Sequence, residues 1–240
     1  MTAPSEPSPP QADRRVSLRS RVSDDLAYIL PFFAFILLTS LAGQFPDAYP
    51  VFYAIKAVVA AGLLVWLWPL FTKIKWDYWW LGVIAGVIGI FQWVPMQLWL
   101  QANFAFFRPP PPDTVFNPYQ KIQPDWLCWA WIAVRILSAS LVVPLMEELF
   151  WRDYLWRRII APNDFKLATV GEWDWRAYVG VSLAFAVVHG NWWLTSIVWG
   201  FMVGGLLLYT RSLGACIVMH ATTNALLAAY VLYYQDWAFW

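Results

Sequence analysis

Two adjacent carboxylates, Glu147 and Glu148, stand inside the apolar run from Leu141 to Trp151. Even the gentler insertion scales assign about 2.5–3.5 kcal/mol to an acidic side chain at the centre of a membrane helix, so a neighbouring pair needs a purpose. The chain has two histidines, His189 and His220, and both also lie in apolar segments. Arg152 follows Glu148 by four residues and Asn224 follows His220 by four, which puts each pair on one helix face. Taken singly, each group has a plain structural reading. Glu148 and Arg152 make a buried ion pair, a lone histidine is a hydrogen-bonded core residue, and a His–Asn pair is a polar contact between helices. Glu147 is the exception. One arginine offsets one carboxylate, and Glu147 is turned about 100° from Glu148 on a helix, free to face a cavity. Together the groups supply a general base, a second proton carrier and donors for a developing oxyanion. That set fits hydrolysis of an acyl bond by an activated water.

The elements that position these groups are read from the apolar pattern. Hydrophobic residues make up 60% of the chain and charged ones 13%, against roughly 25% charged in an average soluble domain. With 19 tryptophans in 240 residues, the composition predicts an all-α fold, a polytopic bundle of about seven transmembrane helices. The spans are expected near 26–44, 51–71, 78–100, 133–157, 177–192, 194–210 and 213–234, with a tight turn at Gly190–Trp192. Residues 1–25 are polar and read as a disordered cytoplasmic tail. Residues 26–125 read as N-terminal membrane helices and an external loop, and 126–240 as the catalytic membrane core. Pro144, three residues before Glu147, is expected to kink its helix and open space there.

Basic residues set the orientation. Arg14, Arg15, Arg19 and Arg21, then Lys73 and Lys75, then Arg157, Arg158 and Lys166, then Arg211 fall in alternate connections. That pattern predicts a cytoplasmic N-terminus. Trp66, Trp68, Trp76, Trp79 and Trp80 bracket one of these turns as an aromatic belt would. Gly82-x-x-x-Gly86 and Gly200-x-x-x-Gly204 are expected to bring helices close together. Cys128 and Cys216 read as buried thiols, and a net charge of +1 without a basic patch beyond the N-terminal arginines gives nucleic-acid binding no support. Counted inward from the cytoplasmic ends of their spans, Glu147, His189 and His220 fall at depths of about 14–18 Å at helical rise.

Three short patterns now stand in order on apolar segments: Glu147-Glu-Leu-Phe-Trp-Arg152, Phe185-Ala-Val-Val-His189 and His220-Ala-Thr-Thr-Asn224. They resemble the E-E-x-x-x-R, F-x-x-x-H and H-x-x-x-N motifs of the CAAX prenyl protease 2 and bacteriocin-processing (CPBP, or Abi) family, most closely its bacterial CAAX prenyl protease-related type. The resemblance covers roughly residues 130–232. It implies an intramembrane endopeptidase of the plasma membrane, with lipids and a protein or peptide substrate as partners. In it Glu147 and His189 activate water, His220 and Asn224 stabilise the oxyanion, and Glu148 and Arg152 support the site. A metal-free mechanism, needing no cofactor, is favoured over zinc on Glu147, His189 and His220, because no H-E-x-x-H is present and an amide is a poor zinc ligand. The contrasting expectation is a non-catalytic scaffold or immunity-type protein that keeps the motifs as a polar packing network.

Overall fold

The computed structural model describes residues 22–111 and 114–240. Every regular element among them is helical. The principal helices are α1 (Asp24–Ala42), α2 (Tyr49–Leu67), α3 (Trp79–Asn103), α4 (Asp125–Ile160), α5 (Trp175–Val187), α6 (Trp193–Thr210) and α7 (Leu213–Tyr234). Six are long and apolar enough to cross a membrane, whereas α5 has 13 residues, about 20 Å at helical rise. The seven expected apolar segments are thus all helices, six of spanning length and the fifth, α5, shorter than expected. The cause is local: His189 leaves the helical region and Gly190 takes a positive φ of 52°, so α5 stops and a 3-10 turn at Gly190–Trp192 leads into α6.

Other boundaries move outward. α1 already begins at Asp24, where the Ser23 hydroxyl accepts from Leu26 N–H and Asp24 and Asp25 face the positive end of the helix dipole. The part of the expected tail before residue 22 lies outside the described residues. The fourth helix starts at Asp125 rather than near 133 and runs to Ile160 as one 36-residue element. Two π turns, Ser138–Val142 and Leu149–Leu155, interrupt its regular pitch on either side of Glu147–Glu148. Pro144 lacks the N–H that an α-helix needs, and the first π turn ends two residues before it, at Val142.

Close packing follows the glycine spacing. A Cβ on Gly86 of α3 would sit 2.6 Å from the Met219 carbonyl of α7. On Gly200 of α6 it would sit 3.2 Å from the Ser182 Cα of α5. Both small-residue stripes thus set helix contacts. α4 packs against α1, α2, α5 and α7, so the glutamate pair lies in the middle of the bundle. Outward, the helices present apolar side chains such as Val65 and Phe91, more than 70% exposed, as a surface that meets lipid acyl chains requires. Trp66, Trp68, Trp76, Trp79 and Trp80 are all exposed at the end of the bundle that also carries Lys73 and Lys75.

A second buried polar cluster anchors α4 near its C-terminal end. Asp153 pairs with Arg157 and accepts from the Tyr28 hydroxyl of α1 at 2.9 Å. Arg157 also donates to the Ala168 carbonyl at 2.8 Å and to Thr72 Oγ1 at 3.0 Å. Arg157 and Arg158 thus do more than mark an interface. Arg157 is buried in this cluster, and Arg158 pairs with Asp25 at the start of α1.

Candidate active site

Glu147, on the stretch of α4 between the two π turns, is 8% exposed. Its Oε2 is buried without a hydrogen-bond partner among the described residues. Glu148 points elsewhere and is fully buried. Its Oε1 takes both the Arg152 Nη1, at 3.3 Å, and the His220 Nδ1 of α7, at 2.8 Å. The sequence foresaw the arginine. It could not foresee that His220 would join the same oxygen across 72 residues. Arg152 in turn lies over the Phe185 and Trp199 rings, 4.8 and 5.7 Å from their centroids, which shields the ion pair in an aromatic setting.

His189 stands just past the end of α5, where its Nδ1 meets the Phe185 carbonyl at 2.7 Å. That bond uses the F-x-x-x-H spacing to cap a free helix carbonyl. A neutral His189 donating through Nδ1 keeps an unprotonated Nε2. Asn224 is fixed in a comparable way. Its Nδ2 donates to the Ala139 carbonyl, inside the first π turn of α4, at 2.8 Å. One amide hydrogen is thereby used and the second remains available.

These side chains share one cavity of about 110 Å³. Glu147, His189, His220 and Asn224 all line it, while Glu148 and Arg152 lie behind the wall. Liquid water occupies about 30 Å³ per molecule, so the space suits a few waters or one small reacting group. The remaining wall is Trp93, Val143, Phe185, Trp199, Thr223 and Leu227. Trp199 stacks on Phe185 with centroids 5.4 Å apart and meets the edge of His220 at 4.7 Å. It holds two motif residues in place, yet the sequence offered no signal for it among 19 tryptophans beyond its place next to Gly200.

Charge decides what the arrangement can do. Arg152 offsets Glu148, and the His220 ring closes on the same carboxylate oxygen. Glu147 is thereby left as the carboxylate without a charge partner among the described residues, facing the small cavity. Among the described residues, no three His, Cys, Asp or Glu side chains group so as to hold a metal ion. Glu147, His189 and His220 share the cavity without forming such a donor set.

Residues 129–226 fit the family of Type II CAAX prenyl endopeptidase Rce1-like proteins. The matched segment runs from α4 into α7 and contains Glu147, Glu148, Arg152, His189, His220 and Asn224. No curated protein and no solved structure matches the chain. Through this segment of a multi-pass membrane chain, the protein is similar to the Rce1-like family of Type II CAAX prenyl endopeptidases.

Proposed function

We propose that the protein is an intramembrane endopeptidase that hydrolyses a peptide bond close to the membrane with a water activated by Glu147. The observation that carries this reading is the unpartnered Glu147 carboxylate oxygen beside a cavity shared with His189, His220 and Asn224. Glu147 takes a proton from water, aided by the free Nε2 of His189, and the hydroxide adds to the carbonyl carbon. The oxyanion is met by the Nε2–H of a protonated His220 and by the second amide hydrogen of Asn224. When the C–N bond breaks, Glu147 returns its proton to the leaving nitrogen, giving a new carboxyl terminus and a new amine. Glu148 and Arg152 position His220 and touch no substrate.

The distribution of Lys and Arg supports a site reached from the cytoplasmic side of the plasma membrane. The test is a strain of the source organism carrying Glu147→Gln at normal protein levels, compared with its parent by mapping the termini of membrane proteins. Accumulation of at least one uncleaved precursor is expected. Identical termini in both strains would overturn the reading.

A further inference from the structure

A second, larger cavity lies away from the glutamate site, where three connections on one face of the bundle converge. Its volume is about 390 Å³, and its wall includes Lys73 and Lys75 from the α2–α3 connection, Lys166 from the α4–α5 connection, and Arg211 from the α6–α7 turn. Arg157 of α4 completes the basic lining, and no acidic side chain lines it. Two of the five cations are already matched. Arg157 pairs with Asp153, and Lys166 with Asp24 at 2.7 Å. Lys73, Lys75 and Arg211 have no carboxylate partner among the described residues, so the cavity carries about three uncompensated positive charges.

The wall is built in advance. Ser212 Oγ and Gly214 N–H both donate to the Lys75 carbonyl, at 2.9 and 3.0 Å, and fasten that connection to the start of α7. Thr72 is held by its N–H to the Tyr28 hydroxyl at 2.6 Å. Gly171, at φ 73°, comes so close to the α6–α7 turn that a Cβ would lie 2.8 Å from the Leu207 carbonyl. Arg211 itself takes a φ of 50° to end α6. Side chains from three loops therefore meet an incoming anion on a fixed frame, which lowers the ordering cost of binding.

We propose that this cavity binds the phosphate-bearing headgroup of an anionic phospholipid from the leaflet that it faces. Exposed tryptophans on the two longer connections that form it support that occupant. Trp68, Trp76, Trp173 and Trp175 are each about half to two-thirds exposed, and tryptophan at this density marks the headgroup level. Lipid phosphate is concentrated there, and a basic pocket between helices is the matching receptor. The site shares no lining residue with the glutamate cavity, so lipid binding does not depend on peptide hydrolysis.

The test uses the purified full-length protein in neutral detergent, titrated with short-chain phosphatidylglycerol, short-chain phosphatidylcholine and inorganic phosphate, with unfolding temperature as the readout. Phosphatidylglycerol alone should raise the unfolding temperature. At roughly fivefold per surface cation, Lys73→Gln should weaken that binding about fivefold, and Lys73→Gln/Lys75→Gln/Arg211→Asn about a hundredfold. Glu147→Gln should bind phosphatidylglycerol like the parent. Should the triple variant unfold, the single Lys73→Gln comparison still decides. Equal response to phosphatidylcholine, equal response to inorganic phosphate, or unchanged binding by Lys73→Gln would each overturn the proposal. So would a peptide bearing a free carboxyl terminus that displaces the lipid at equal concentration.

Discussion

Helix α4 carries two carboxylate–arginine pairs at the same spacing, Glu148–Arg152 and Asp153–Arg157, and they have opposite characters. Around Asp153 none of the side chains is left with a buried unpaired polar atom. The carboxylate takes Arg157 and Tyr28, and Arg157 spends its remaining donors on Thr72 and backbone carbonyls. Around Glu148 the accounting stays open. Glu147 Oε2, Glu148 Oε2, Arg152 Nε and Nη2, and Trp199 Nε1 are buried without partners among the described residues. Leaving one such group unpaired costs about 1–3 kcal/mol, so several together at one place are a sustained expense of folding energy. A closed cluster fastens helices together. An open one beside a cavity keeps groups in reserve for a ligand or a reaction, and this contrast is a stronger guide than burial or charge alone.

The most direct way to break the comparison is to make the open cluster inert. Glu147→Gln conserves shape and leaves the Glu148–Arg152–His220 contacts intact. On the proposed mechanism it should lower peptide hydrolysis by about 10³-fold or more, since it removes the base itself. The unfolding temperature should barely move, because the buried Oε2 of Glu147 has no hydrogen-bond partner among the described residues to lose. Measured precursor turnover within tenfold of the parent would remove Glu147 from the chemistry.

Asp153→Asn attacks the closed cluster. It leaves Arg157 buried at 4% exposure with no compensating charge. Removing one partner of a buried pair costs about 3–5 kcal/mol, so folded yield and unfolding temperature should fall sharply. Turnover per folded molecule should stay near the parent value, the inverse of the Glu147→Gln result. Asn224→Ala comes third. It loses one hydrogen bond to Ala139, worth about 0.6–1.5 kcal/mol of stability. If the amide also meets the oxyanion, turnover should fall by about 10²–10³-fold with little change in substrate affinity. A loss in stability with unchanged turnover would make Asn224 a packing residue.

The same contrast explains what the sequence could reveal. Motif residues at four-residue spacing announce a shared helix face, so Glu148–Arg152 was legible, as were the helix approaches at Gly86 and Gly200. His220 on Glu148 was not, because a contact between α4 and α7 depends on how the helices pack. Asp153 and Arg157 stand at that same legible four-residue spacing; what stayed hidden was the Tyr28 hydroxyl of α1 on Asp153 and the full burial of the carboxylate, which again depend on how the helices pack. The C-terminal end of α5 was not legible, because hydropathy registers an apolar run and not the positive φ of Gly190 that follows the end of the helix. The two π turns leave no hydropathy signature at all, although Pro144 pointed to the right part of α4.

The smallest effect tests how strictly the open cluster should be interpreted. Trp199 Nε1 is one of its unpartnered atoms, and the indole lines the Glu147 cavity. Yet a Cβ on Gly89 of α3 would lie only 3.1 Å from that nitrogen, so the N–H is directed toward a neighbouring helix. Trp199→Phe removes an unsatisfied donor, a gain of about 1–3 kcal/mol, and keeps a ring to stack on Phe185. It also leaves a void of roughly 40 Å³, a loss of about 1 kcal/mol. The net is a gain of about 0–2 kcal/mol in stability. Turnover should stay within about threefold, because the ring still braces His220 and the lost donor points away from the reacting atoms. A fall of a hundredfold with normal stability would show instead that the indole N–H turns into the cavity during the reaction, and would add it to the groups that the open cluster holds in reserve.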